Sequence, residues 1–119
     1  MRLFVAVELP EAAVERLARL VRELGGPGVR WVAPGLWHVT IKFLGEVPAD
    51  ALPEVTGALS AATIGLAAFD WECRGCGGFP DLRRPRVVWA RVGQGRERMV
   101  AAAGRIEAAL EGAGFAAEA

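Results

Sequence analysis

The stretch Trp37-His38-Val39-Thr40-Ile41-Lys42-Phe43-Leu44-Gly45-Glu46 holds the only histidine and the only lysine of the chain. Taken with the period of two that a strand imposes, it sorts into two faces. His38, Thr40 and Lys42 fall on one, and Val39, Ile41 and Phe43 on the other. A strand with one apolar face packs that face on a core and leaves the other accessible. The accessible face would then carry an imidazole that exchanges protons near neutral pH, followed by a hydroxyl and an ammonium. A hydroxyl and a fixed cation suit phosphate oxygens. The plain alternative is a half-buried strand whose outer face is merely polar.

Upstream, Leu3 to Leu9 is expected to form a buried strand, with Leu3, Val5, Val7 and Leu9 on one face and Phe4, Ala6 and Glu8 on the other. Pro10 and Glu11 open a helix whose inward positions are Val14, Leu17, Leu20, Val21 and Leu24. Gly25-Gly26-Pro27-Gly28 ends it. Arg30 to Val32 reads as a short extended piece, and Pro34-Gly35 as a turn into the His38 strand. Downstream, Asp50 is a candidate N-cap for a second helix to about Ala62, with Leu52, Val55, Leu59 and Ala62 inward. Phe69 to Arg74 alternates like a strand, and Gly75 to Arg84 reads as a loop. Arg86 to Val92 is a further strand. A third helix from about Arg96 turns Met99, Ala103, Ile106 and Leu110 inward and stops at Gly112 or Gly114. The order β-α-β-β-α-β-β-α predicts a single α+β domain over residues 1–119, a largely antiparallel sheet with helices on one side.

Composition narrows the function classes. The 119 residues are 53% hydrophobic and 24% charged, as in a globular chain. Fourteen basic and fourteen acidic residues cancel, which argues against nonspecific nucleic-acid binding as the main task, since that needs many cationic phosphate contacts. A small site for one nucleotide end stays open. No apolar run approaches the roughly 18 residues of a membrane span, and the N-terminus lacks a signal-peptide pattern. A cytoplasmic location is the expectation. Cys73 and Cys76 make one C-x-x-C, and a structural zinc site needs more ligands than one distant histidine supplies. No metal and no cofactor are expected.

With Trp31-Val32 and Pro34 before it and Phe43-Leu44-Gly45-Glu46 after it, His38-Val39-Thr40-Ile41 resembles the first H-x-T-x motif of the 2H phosphoesterase superfamily. The nearer resemblance is to the bacterial and archaeal RNA 2′,3′-cyclic phosphodiesterases, also called 2′-5′ RNA ligases. Arg2-Leu3-Phe4-Val5-Ala6-Val7 resembles their opening strand. Phe79-Pro80 with Pro85-Arg86-Val87-Val88-Trp89-Ala90 resembles their middle hairpin, and the third helix with its terminal Gly114-Phe115 resembles the helix before a second motif. The resemblance implies a bilobal fold and metal-free opening of a 2′,3′-cyclic phosphate to a 2′-phosphomonoester. Two histidines, one from each H-x-T-x, would share the proton transfers while the two threonines hold phosphate. His38 matches the proton donor and Thr40 the first phosphate-binding threonine. Lys42 is added as a substrate contact from strand alternation alone. The partners implied are RNA with 2′,3′-cyclic phosphate or 2′-5′-linked ends, tRNA halves among them, and no membrane.

One part of the pattern is missing: these 119 residues hold no second histidine. Glu8 is a conceivable base, supported only by its strand face. The expectation is a chain lacking the C-terminal part of such an enzyme. Its alternatives are a one-histidine module that binds RNA ends or nucleotides without turnover, and a dimer or strand swap in which two chains each supply a histidine. A small interaction domain with a merely structural His38 is the reading from another class.

Overall fold

Seven regular elements and two short 3₁₀ turns make up the protein, seen in a computed structural model that describes residues 1–24, 30–79, 81, 83 and 87–115. In chain order they are β1 (Arg2–Glu8), α1 (Glu11–Leu24), a 3₁₀ turn at Pro34–Leu36, β2 (His38–Glu46) and a 3₁₀ turn at Ala49–Ala51. Then come α2 (Leu52–Thr63), β3 (Cys73–Phe79), β4 (Val87–Val92) and α3 (Arg96–Gly112). All strand pairing among the described residues is antiparallel, in two ribbons, β1-β2 and β3-β4. The α+β class therefore holds. Residues 30–32 belong to no strand. The glycine-rich stop expected at 25–28 lies outside the described residues. The chain groups into two compact units, one spanning Met1–Ala49 and the other beginning at Asp50.

In the first unit β1 and β2 pair over their whole lengths, from Arg2 opposite Glu46 to Glu8 opposite His38. The chain start extends the ribbon: the Val47 amide donates to the Met1 carbonyl at 2.8 Å, and the Met1 ammonium donates to the Val47 carbonyl at 2.8 Å. The register is not regular. Between Val5 and Ala6, β2 runs from Lys42 to Thr40, so Ile41 is an extra residue; between Leu3 and Phe4 it runs from Gly45 to Phe43, so Leu44 is extra. Each extra residue is a bulge that inverts the facing of the residues beyond it. Helix α1 half-buries Val14, Leu17 and Val21, while Leu20, expected inward, is 51% exposed.

In the second unit α2 and α3 pack on each other. Val55 and Ala62 of α2 and Met99, Ile106 and Leu110 of α3 are buried, Leu110 completely. Spacings of seven and four residues put these positions on one stripe of each helix. Two details of α2 depart from expectation. Asp50 lies in the 3₁₀ turn and Ala51 is the cap residue, without a side-chain cap bond; Leu52 is exposed. The far end of α2 is tied down by the Arg105 guanidinium, which donates to the Ile64 carbonyl at 3.1 Å.

The third strand is displaced from the alternating stretch that announced it. Phe69 to Glu72 is not strand, and Cys73–Phe79, much of which was expected as loop, is. Pairing with β4 explains the shift. Gly77 faces Trp89, whose indole lies so close that a Cβ on Gly77 would meet it at 2.6 Å. Glycine here is what lets the indole lie on the backbone.

Candidate active site

The approach to His38 is fixed by backbone bonds in a short proline-led turn. Pro34 supplies the φ that a 3₁₀ turn needs. The Leu36 amide donates to the Ala33 carbonyl at 2.9 Å and the Trp37 amide to the Pro34 carbonyl at 3.2 Å. The Trp37 indole Nε1 donates to the Val32 carbonyl at 2.9 Å, tying the turn to the preceding segment. The Leu36 carbonyl is thereby held where the imidazole reaches it: His38 Nδ1 lies 2.6 Å from it. A carbonyl only accepts, so Nδ1 carries a proton and donates. That leaves Nε2 as the atom that exchanges a proton with a ligand. His38 itself is exposed.

A second contact orients the ring. The Phe4 and His38 rings lie 4.9 Å apart, centroid to centroid, tilted by 32°. Phe4 reaches it because β1 and β2 pair with Ala6 opposite Thr40 and Glu8 opposite His38, so Phe4, Ala6 and Glu8 share a face with His38 and Thr40. Thr40 is half-buried. Alternation puts its Cα about 6–7 Å from that of His38, a spacing that one phosphate group can bridge.

Lys42 is not on that face. The extra residue Ile41 inverts the strand, and Lys42 stands opposite Val5, on the face of Val7 and Val39. It is only 6% exposed. The same inversion brings Phe43 out opposite Phe4, with the two rings 6.1 Å apart and Phe43 56% exposed. The expected row of His38, Thr40 and Lys42 is thus His38, Thr40 and Phe43. Sequence reading missed both Phe4 and Phe43 as neighbours of the imidazole. Strict alternation cannot show a bulge.

Elsewhere the described residues offer no metal centre: no three His, Cys, Asp or Glu side chains gather to hold an ion. Cys73 and Cys76 are both free thiols, and desolvation pushes the Cys73 thiol above its ordinary value. No described helix is long and apolar enough to cross a membrane.

Comparison with known proteins places this geometry in context. The RNA 2′,3′-cyclic phosphodiesterase of Archaeoglobus fulgidus is 40% identical over 93 residues, covering 77% of this chain and 52% of that protein. The enzyme of the same name from Aeropyrum pernix is 37% identical over 107 residues, covering 88% of this chain and 60% of that protein. The chain thus spans about half the length of the curated relatives it matches. Among solved structures, a Thermus thermophilus protein superposes with a TM-score of 0.79 at 35% identity, over 94% of this chain and 61% of that one. The apo form of Escherichia coli LigT gives a TM-score of 0.70 at 27% identity, over 99% of this chain and 74% of that one. The LigT-like phosphoesterase profile matches residues 7–89, which include the whole His38–Glu46 strand. On that match the chain belongs to the LigT-like phosphoesterase family.

Proposed function

We propose that the chain provides the proton-donor half of a metal-independent hydrolase of RNA 2′,3′-cyclic phosphate ends. The observation that carries this reading is the Nδ1 bond to the Leu36 carbonyl. It leaves a single exchangeable ring nitrogen, Nε2, on a face shared with Thr40. In the reaction the P–O3′ bond breaks as water adds to phosphorus. Protonated Nε2 of His38 gives its proton to the departing O3′, and the product is a 2′-phosphomonoester with a free 3′-hydroxyl. The Thr40 hydroxyl donates to a phosphate oxygen throughout. A base must take the proton from water, and the one histidine of this chain is already assigned as the acid. In this reading the base is the histidine of a second H-x-T-x, which these 119 residues do not hold.

The relatives named RNA 2′,3′-cyclic phosphodiesterase support the substrate class. The substrates are RNAs ending in 2′,3′-cyclic phosphate or 2′-5′ linkages, tRNA halves among them, met in the cytoplasm. His38→Ala in a chain completed by a second H-x-T-x should lower kcat/KM for 2′,3′-cyclic AMP by about 10²- to 10⁴-fold, the usual share of one general acid. An unchanged rate with the fold intact rejects the assignment.

A further inference from the structure

The proton transfer leaves Cys73 and Cys76 without a role, and the register of β3 arranges them in a way that spacing alone hides. In a regular strand, residues three apart face opposite sides. Here Cys73 stands opposite Val92 and Cys76 opposite Ala90, three steps on β3 against two on β4. β3 thus carries one extra residue between the two cysteines. Gly75, at φ +72°, takes the left-handed conformation that glycine allows at such a bulge. The bulge turns both thiols to one face of the ribbon, and both are free and exposed. Their cross-strand neighbours, Val92 and Ala90, are small and apolar, and the next position on that face is Gly78. The adjoining acid is already engaged: the Glu72 carboxylate accepts from Arg74 Nε at 3.1 Å and from the Gln94 amide at 3.3 Å.

We propose that Cys73 and Cys76 form a two-thiolate site for a soft monovalent ion, copper(I), on one face of the β3-β4 ribbon. Spacing decides between an ion and a disulfide. Neighbouring positions on one strand face stand roughly 6–7 Å apart. A disulfide draws its two Cβ atoms to about 3.5–4.5 Å, which would buckle the strand. An ion in line between two sulfurs, with bonds near 2.3 Å, holds the sulfurs about 4.5 Å apart. Two side chains leaning together close that gap while the backbone stays in place. Among the described residues no third donor joins the pair, so zinc, which takes four ligands, is poorly served. Copper(I) is the physiological ion that thiolates select. As it binds, each thiol releases its proton to solvent, leaving a singly negative bis-thiolate with no electron transferred.

Anaerobic titration of the reduced chain against the coloured copper(I)–bicinchoninate complex tests this directly. The expected result is one copper(I) withdrawn per chain, with both thiols then closed to dithionitrobenzoate. Cys73→Ser and Cys76→Ser should each weaken the binding by about 10²-fold or more, the worth of a second tethered ligand. Both substitutions alter exposed side chains, so the fold should survive them, and a urea midpoint close to the parent's checks that. Zinc(II) in excess should leave the copper in place. The proposal is overturned if no copper is withdrawn, if one thiol serves as well as two, or if zinc(II) displaces the ion. One ion shared between two chains overturns it as well.

Discussion

His38 donates through Nδ1 to a carbonyl two residues back, so its tautomer is set by local chain geometry and not by a distant partner. That arrangement was half legible in the sequence. The identity and facing of His38 and Thr40 follow from period two, whereas the Leu36 carbonyl and the Phe4 ring do not, because backbone bonds and register leave no mark on residue type. Lys42 shows the cost of reading alternation too strictly: one extra residue, Ile41, turns a supposed phosphate contact onto the face of Val5 and Val7. Thr40 keeps its place. Thr40→Val, which keeps the shape and removes the hydroxyl, should weaken 2′-AMP binding roughly tenfold or more, the worth of a hydrogen bond to a charged group. Cys73 offers a separate check on local environment. Desolvation favours its neutral thiol, so at a given pH less thiolate is present in the folded protein than in the unfolded one. The pH midpoint for alkylation of Cys73 by iodoacetamide should therefore lie higher in the native protein than in urea, and coincident midpoints would contradict that shift.

Helices were more legible than strands, and the reason is physical. The stripe of Met99, Ile106 and Leu110 on α3 is set by a repeat internal to the helix, so sequence spacing alone finds it. A strand's limits depend on what it pairs with. Thus β3 begins at Cys73 and runs through glycines because β4 lies beside it, and Gly77 is open to the Trp89 indole. The entry to α3 rests on another glycine. Gly95 has φ +86°, and a Cβ there would meet the Asp70 carbonyl oxygen at 2.5 Å and the Trp71 Cβ at 2.7 Å. Gly104, inside α3, has nothing within 4 Å of the same position. The two should respond with opposite signs. Gly95→Ala should destabilise by about 1–3 kcal/mol, since backbone strain and backbone collision act together. Gly104→Ala should stabilise by about 0.5–1 kcal/mol, by removing glycine's excess unfolded-state entropy from a helix interior. Urea denaturation of the two variants beside the parent gives both values.

At the scale of the whole molecule, the chain carries one H-x-T-x site and spans about half of its curated relatives. In-line displacement at phosphorus needs an acid for the leaving oxygen and a base for water, and these 119 residues supply one histidine. A chain extended through a second H-x-T-x should accordingly hydrolyse 2′,3′-cyclic AMP far faster than the 119 residues alone, and equal rates would contradict a two-histidine site. The family and the α+β class were both legible from the ordered run of short motifs. The division into two ribbons and two compact units was not, because pairing partners and unit limits are fixed by tertiary contact. The most direct test of the central claim is ³¹P NMR of 2′,3′-cyclic AMP incubated with the extended chain and with its His38→Ala counterpart. Accumulation of 2′-AMP, slowed about 10²- to 10⁴-fold by the substitution, is the expected result. Formation of 3′-AMP, or an undiminished rate without His38, would contradict the account.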